Sequence, residues 1–184
     1  MTAYDDLMAH QRETQALSEV AGRLGWDQET MMPRGASPQR AEEMAAMESV
    51  LHSRRTDPRV AAWLAEIDGQ ALDEVGRANL RHIRRSHDRA SKVPAQLAAR
   101  IARVTSEAQG IWAEARAADD FAAFAPTLTE VIALKREEGQ ALATGGDVYD
   151  AMLQDYEPGT TGAEIAAMFD ALRPTVGSTA VRVP

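Results

Sequence analysis

No cysteine occurs among the 184 residues. That excludes disulfides, thiolate nucleophiles, iron–sulfur clusters and cysteine-ligated zinc. It is compatible with the cytoplasm, which is the location we expect. No apolar run approaches the roughly 18 residues needed to cross a bilayer. The opening Met1-Thr2-Ala3-Tyr4-Asp5-Asp6 has neither the basic nor the apolar stretch of a secretory signal. Positive charge is in deficit: 20 Lys and Arg against 28 Asp and Glu leave a net charge of −8. Phosphate backbones and anionic lipid surfaces both require a basic face, so we expect no nucleic acid and no membrane as partner. β-Branched residues are sparse, and no short segment alternates apolar with polar, so no strand is predicted. There is no internal repeat and no low-complexity tract. The phosphate-cradling GxGxxG and GxxxxGK[ST], the nucleophile elbow GxSxG and the zinc motif HExxH are all missing.

What remains is abundant alanine, 45% hydrophobic and 26% charged residues, a globular composition that favours helix. The length suits one domain or a piece of a larger one. The pattern predicts a first helix over about Tyr4 to Leu24, stopped by Gly25, and then a loop from Trp26 to Gly35. Ser37-Pro38 reads as an N-cap with proline at the first helical position, opening a helix to about Arg54. Asp57-Pro58 repeats that grammar for a short helix to about Ile67, which Gly69 closes. A fourth helix is predicted from Leu72 to Ser91, with Val93-Pro94 as its boundary. The fifth is clearest: Leu97, Ile101, Val104, Ala108, Ile111 and Ala115 form a seam at alternating spacings of four and three. Asp119-Asp120 caps Phe121 to Phe124, and Pro126 restarts a sixth helix that Gly145-Gly146 ends. Tyr149 to Leu153 is short and helical. Glu157-Pro158-Gly159 has the order of a type II turn, and Thr161 to Glu164 forms a capping box. A last helix carries Ile165, Met168, Phe169 and Leu172 and ends at Pro174. The expected architecture is an all-α, multi-helix array over residues 1–174, with an irregular tail over 175–184.

The individual polar features have ordinary explanations. His82 and His87 lie about 140° apart around a helix, so they do not converge on one metal. The pairs Glu42/Glu43, Asp119/Asp120 and Glu137/Glu138 are sequence neighbours that point about 100° apart, which suits solvated faces better than a catalytic dyad. The Arg81, Arg84, Arg85 and Arg89 cluster has two readings, an anion site or pairing with carboxylates of a neighbouring helix, and we favour the second. Two segments stand out. One is Leu24-Gly25-Trp26-Asp27-Gln28-Glu29-Thr30-Met31-Met32-Pro33 through Arg40-Ala41-Glu42. The other is Tyr149 to Gly159, acidic, rich in tyrosine and flanked by glycine turns. Each is also consistent with a packed helix connection.

These two segments resemble the carboxypeptidase Taq family of metallocarboxypeptidases. The family pattern W-D-x-x-T-x-M-P-x-x-G followed by R-A is met by Trp26, Asp27, Thr30, Met32, Pro33, Gly35, Arg40 and Ala41. The pattern Y-D-x-L-L-D-x-Y-E-P-G is met by Tyr149, Asp150, Leu153, Tyr156, Glu157, Pro158 and Gly159, with Met152 and Gln154 replacing the usual Leu and Asp. Trp112 to Arg116 and Asp120 to Pro126 are similar as well. The resemblance implies the N-terminal helical portion of a zincin-like carboxypeptidase that removes C-terminal residues from peptides with zinc or another divalent metal. It implies that HExxH and the rest of the metal site lie outside these residues. No catalytic residue and no metal ligand is therefore assigned here. Trp26, Asp27, Thr30, Met32, Pro33, Gly35, Arg40, Tyr149, Asp150, Tyr156, Glu157, Pro158 and Gly159 are expected to be structural or groove-facing. The chain alone is expected to be inactive and without cofactor, meeting peptide substrate only together with the remaining part. Met31, Met32, Met152, Met168 and Phe169 are expected to be left exposed and to favour a homo-oligomer. The alternative is a standalone helical interaction module.

Overall fold

The computed structural model describes residues 2–180, and no strand occurs among them. The helices in chain order are α1 (Ala3–Thr30), α2 (Ser37–Arg55), α3 (Pro58–Glu66), α4 (Glu74–Lys92), α5 (Ala95–Ala117), α6 (Phe121–Ala143), α7 (Val148–Leu153) and α8 (Gly162–Ala180). Short 3₁₀ turns over Arg34–Ala36 and Gly69–Ala71 precede α2 and α4. The architecture is all-α, as the composition predicts.

Most starts are fixed by side chains that accept the orphan N–H groups of a first turn. Thr2 and Asp5 form a capping box at α1. Asp57, Asp73 and Asp147 cap α3, α4 and α7. Thr161 and Glu164 bond reciprocally at α8, the Thr161 N–H donating to the Glu164 carboxylate at 2.8 Å. Gly145 ends α6 at φ 90° and Gly159 takes φ 89°, both in the left-handed region that favours glycine. The Thr160 N–H donates to Glu157 O at 3.2 Å, closing the turn expected at Glu157-Pro158-Gly159.

Four boundaries depart from expectation. Gly25 does not stop α1, which runs on to Thr30, so Trp26 to Thr30 are helical and the break is confined to Met31–Pro33. A mid-helix glycine costs only about 1 kcal/mol, and tertiary contacts beyond it outweigh that. Ser37 is the first residue of α2 rather than its cap. Its hydroxyl donates back to Arg34 O at 3.1 Å, and Pro38 takes the second position. Pro126 lies within α6, which begins at Phe121. The proline forfeits one backbone bond, while Asp120 caps the Ala123 N–H at 3.0 Å and Val131 and Leu134 pack downstream. Pro174 lies within α8, so residues 175–180 continue the helix where an irregular tail is predicted. Residues 181–184 of that tail fall outside the described residues.

The chain divides into two compact units, Met1–Glu138 and Gly139–Pro184. The first holds two apolar clusters. Leu7, Val60, Leu64 and Leu80 join α1, α3 and α4, with Tyr4, Trp63 and Ile83 packed around them. Leu97, Val104 and Leu134 join α5 and α6, with Ile101 and Val131 against them. The α5 seam therefore faces the core, except at Ile111, which is 40% exposed. α2 and α5 are the most closely paired helices. Small residues permit that approach: Ala41 and Ala45 are buried, and a Cβ on Gly110 would lie 3.1 Å from Ser37 Oγ. In the second unit α6 meets α7 the same way, since a Cβ on Gly139 would lie 2.7 Å from Val148 Cγ1.

Candidate functional site

The first signature segment forms the corner between α1 and α2. α2 brings Arg40 beneath the last turns of α1, with its side chain only 10% exposed. Its guanidinium donates to the Asp27 carboxylate at 2.6 Å, to Glu43 at 2.8 Å and to the carbonyl of Leu24. A planar fork of five N–H donors suits such a threefold engagement, which a lysine does not reproduce. The bond to Asp27 holds the guanidinium above its ordinary value, with Glu43 adding to it. Asp27 also ends its own helix, because its carbonyl accepts from the N–H groups of Met31 at 2.9 Å and Met32 at 2.8 Å. The Thr30 hydroxyl donates to Trp26 O at 2.7 Å. Pro33 is extended at ψ 138°, and its carbonyl accepts from the Ala36 N–H at 2.9 Å across Gly35. The Trp26 side chain itself is 63% exposed.

Behind this corner Gln28 reaches α5. Its amide donates to Ser106 O at 3.0 Å and accepts from Ser106 Oγ at 2.7 Å. Between the end of α1, the start of α2 and α5 lies an open cavity of about 550 Å³, lined by Thr30, Met32, Ser37, Glu107 and Glu114 among others. The fold thus brings Asp27 and Arg40 into contact, while Thr30 and Met32 line the cavity. Glu43 and Gln28 were missed by sequence reasoning. Only the i, i+3 spacing of Arg40 and Glu43 signalled one of them.

The second signature segment is α7 and the turn after it. The Asp150 carboxylate accepts the Gly162 N–H at 2.6 Å, and the Tyr149 ring lies over that glycine. Gln154 ties the turn at three points. Its amide donates to Asp150 O at 3.2 Å and Thr160 O at 2.9 Å, and accepts from the Gly159 N–H at 2.8 Å. An aspartate at that position has no amide N–H to donate, so the two bonds to carbonyls depend on the glutamine. Tyr149 and Tyr156 present 64% and 81% of their surface to solvent.

The acidic neighbours diverge as predicted: Glu42 pairs with Arg103 of α5 at 2.8 Å while Glu43 pairs with Arg40. The arginine cluster differs from expectation at Arg84, which donates to the Leu64 carbonyl at 2.9 Å rather than to a carboxylate. Three imidazoles engage carbonyls at helix ends: His10 with Arg54 O at 3.0 Å, His52 with Val93 O at 2.7 Å and His87 with Arg55 O at 2.8 Å.

A family model describing the carboxypeptidase Taq (M32) metallopeptidases matches residues 6–182. The chain belongs to this family. It is similar to Thermostable carboxypeptidase 1 of Thermus thermophilus, 39% identical over 93% of this chain and 36% of that protein. It is 29% identical to Thermostable carboxypeptidase 1 of Pyrococcus furiosus, over 90% of this chain and 34% of that one. Among solved structures it is similar to Trypanosoma cruzi metallocarboxypeptidase 1, with a TM-score of 0.73 and 32% identity across 94% of this chain and 35% of that one. It shares its fold with BsuCP at a TM-score of 0.87 and 22% identity, across 95% of this chain and 35% of that one. The chain thus spans about a third of the length of the M32 relatives it matches. The family's description implies a metal. Among the described residues no three His, Asp or Glu side chains gather as a ligand set, so they do not fit a metal centre.

Proposed function

We propose that this chain is the N-terminal, non-catalytic helical portion of a metal-dependent carboxypeptidase that hydrolyses C-terminal residues from peptides. The observation that carries this reading is the family match over residues 6–182, which leaves about two thirds of each relative without a counterpart here. The geometry of the signature residues agrees with it. Arg40 spends its donors on Asp27, Glu43 and Leu24, the Asp150 carboxylate accepts from the Gly162 N–H, and the Gln154 amide bonds within the turn of its own segment. These groups hold helix ends in place and are not presented to a substrate. Their role is to fix the corner of α1 and α2 in the first unit and the entry to α8 in the second. Hydrolysis then needs a site from elsewhere, where a divalent metal polarises the scissile carbonyl and activates water. The reading places the protein in the cytoplasm.

The test is direct. The purified chain is incubated with a peptide substrate, with and without added Zn²⁺, and released amino acids are measured alongside bound metal. We expect no release and no stoichiometric metal. Release of C-terminal residues by this chain, with metal at one equivalent, would overturn the reading.

A further inference from the structure

α4 is a strongly basic element in an acidic chain. It carries six Arg and Lys against Glu74 and Asp88, a net charge of +4 where the whole chain carries −8. Arg77, Arg81, Arg84, Arg85 and Lys92 stand at i, i+4, i+7, i+8 and i+15. At about 100° per residue they fall within an arc of about 100°, and the stripe runs about 22 Å along the helix. Gly76 and Leu80 are buried on the adjoining arc, with Ile83 and His87 half-buried beside them, so the stripe is turned away from the core. Arg77, Arg81 and Arg84 are exposed and Arg85 is half-buried.

Arg77 donates to Leu72 O at 2.6 Å and Arg84 to Leu64 O at 2.9 Å, so both meet carbonyls. Arg81 and Arg85 have no hydrogen bond or ion pair among the described residues. α2 packs against α4, but its three carboxylates are taken: Glu42 by Arg103, Glu43 by Arg40 and Glu48 by Arg55. A carbonyl accepts a bond from a guanidinium without neutralising it. The stripe therefore keeps its charge, and Arg81 and Arg85 keep their whole fork of donors.

We propose that this face of α4 is a docking surface for an acidic polypeptide segment, whose carboxylates pair with Arg81 and Arg85 and with the spare donors of Arg77 and Arg84. Charge complementarity and spacing select this occupant. Guanidiniums four residues apart stand about 6 Å apart along the axis, which is the rhythm of Asp or Glu on one face of a partner helix. Each can take a carboxylate in bidentate fashion. Asp88 sits inside the arc, and Asp and Glu are in surplus elsewhere on the chain. A long phosphate backbone would run past the stripe and meet that surplus, whereas a short segment touches the stripe alone. A lipid surface needs an exposed apolar face beside the basic one. Among the described residues of α4, the one large hydrophobic left exposed is Val75.

The experiment uses a fluorescein-labelled, alanine-based helical peptide with Glu at every fourth position. Its binding to the chain is read by fluorescence anisotropy at about 50 mM salt, where surface charges are weakly screened. We expect saturable binding that weakens as salt rises. Arg81→Glu with Arg85→Glu should weaken it by about tenfold or more. Arg23→Glu with Arg136→Glu makes the same change of net charge at exposed positions of α1 and α6, and should leave the affinity within about twofold. Circular dichroism and thermal melting check that each variant is folded. Arg81→Gln with Arg85→Gln, neutral rather than reversed, should weaken binding by a smaller factor, so the comparison stands even where charge reversal disturbs the fold. Absent binding, equal binding of the same peptide with Lys in place of Glu, or an equal loss in both Glu double variants overturns the proposal. So does tighter binding of a DNA duplex of about 20 base pairs, or of phosphatidylserine vesicles, that Arg81→Glu with Arg85→Glu abolishes, since the stripe would then serve a phosphate surface.

Discussion

In residues 2–138 the signature corner is held by a buried guanidinium and backed by two apolar clusters. In residues 139–180 the signature turn is held by backbone hydrogen bonds and by the Asp150 and Gln154 side chains, and among the described residues there Leu142 and Leu153 are the buried leucines. Both segments carry the same kind of family pattern, yet they are stabilised by different physics. Removing one partner of a buried, multiply bonded charge costs about 3–5 kcal/mol. Removing one hydrogen bond beside water costs about 1 kcal/mol. The lesson is that family-typical residues need not carry equal energetic weight. The first region has apolar clusters behind its corner, and the second leaves Met168, Phe169 and Leu172 about half exposed.

The largest expected effect breaks the first region at its core. Ile101→Asp puts an unpaired carboxylate against Leu97, Val104 and Leu134, and should cost roughly 3–5 kcal/mol in thermal or denaturant unfolding. Ile111→Asp, on the same seam but 40% exposed, should cost roughly 1 kcal/mol or less. Equal costs for the two would place the seam wrongly. Arg40→Ala comes next. It strands the Leu24 carbonyl and two carboxylates. Asp27 and Glu43 are 40% and 39% exposed and regain water, so we expect about 2–3 kcal/mol, near the low end of the buried range. Arg40→Lys should recover only part of it.

In the second region Asp150→Ala should cost about 1 kcal/mol, read as faster exchange of the Gly162 amide with little change in overall melting. A loss as large as that of Arg40→Ala would erase the contrast between the regions. The smallest effect is a pH dependence at the start of α3. Asp57 caps that helix, and its bonds to the Arg59 side chain and N–H bring its carboxyl down to about 2. A lowered carboxyl stabilises the fold above its unfolded value near 4 and loses that contribution as pH falls towards 2. The melting-temperature advantage of the parent over Asp57→Asn should therefore be full at pH 6 and shrink between about pH 4 and pH 2.

Boundaries written in local chemistry were legible from the residues. Asp57-Pro58, Gly145, Glu157-Pro158-Gly159 and the Thr161 capping box each act within four positions, and each appears where predicted. Boundaries decided by packing were not legible. Gly25 and Pro126 are breakers by propensity, yet α1 and α6 run through them because Arg40, Gln28 and Leu134 hold what lies beyond. The candidate site divides the same way. Asp27 and Arg40 were recognisable one by one, but their contact spans a corner 13 residues long and needs the fold. Gln154 reads as a departure from a pattern, and only the loop geometry shows that its amide bonds Thr160 O and the Gly159 N–H across the turn.

The proposal that this chain is helical scaffolding for a catalytic site supplied elsewhere in the M32 fold is tested most directly by peptide hydrolysis in a graft that joins this chain to the stretch of the Thermus thermophilus relative without a counterpart in it. With divalent metal the graft should release C-terminal residues, chelation should abolish that release, and the chain alone should release none under either condition. Metal-dependent release by the chain alone, at a rate comparable to the graft, would contradict the account.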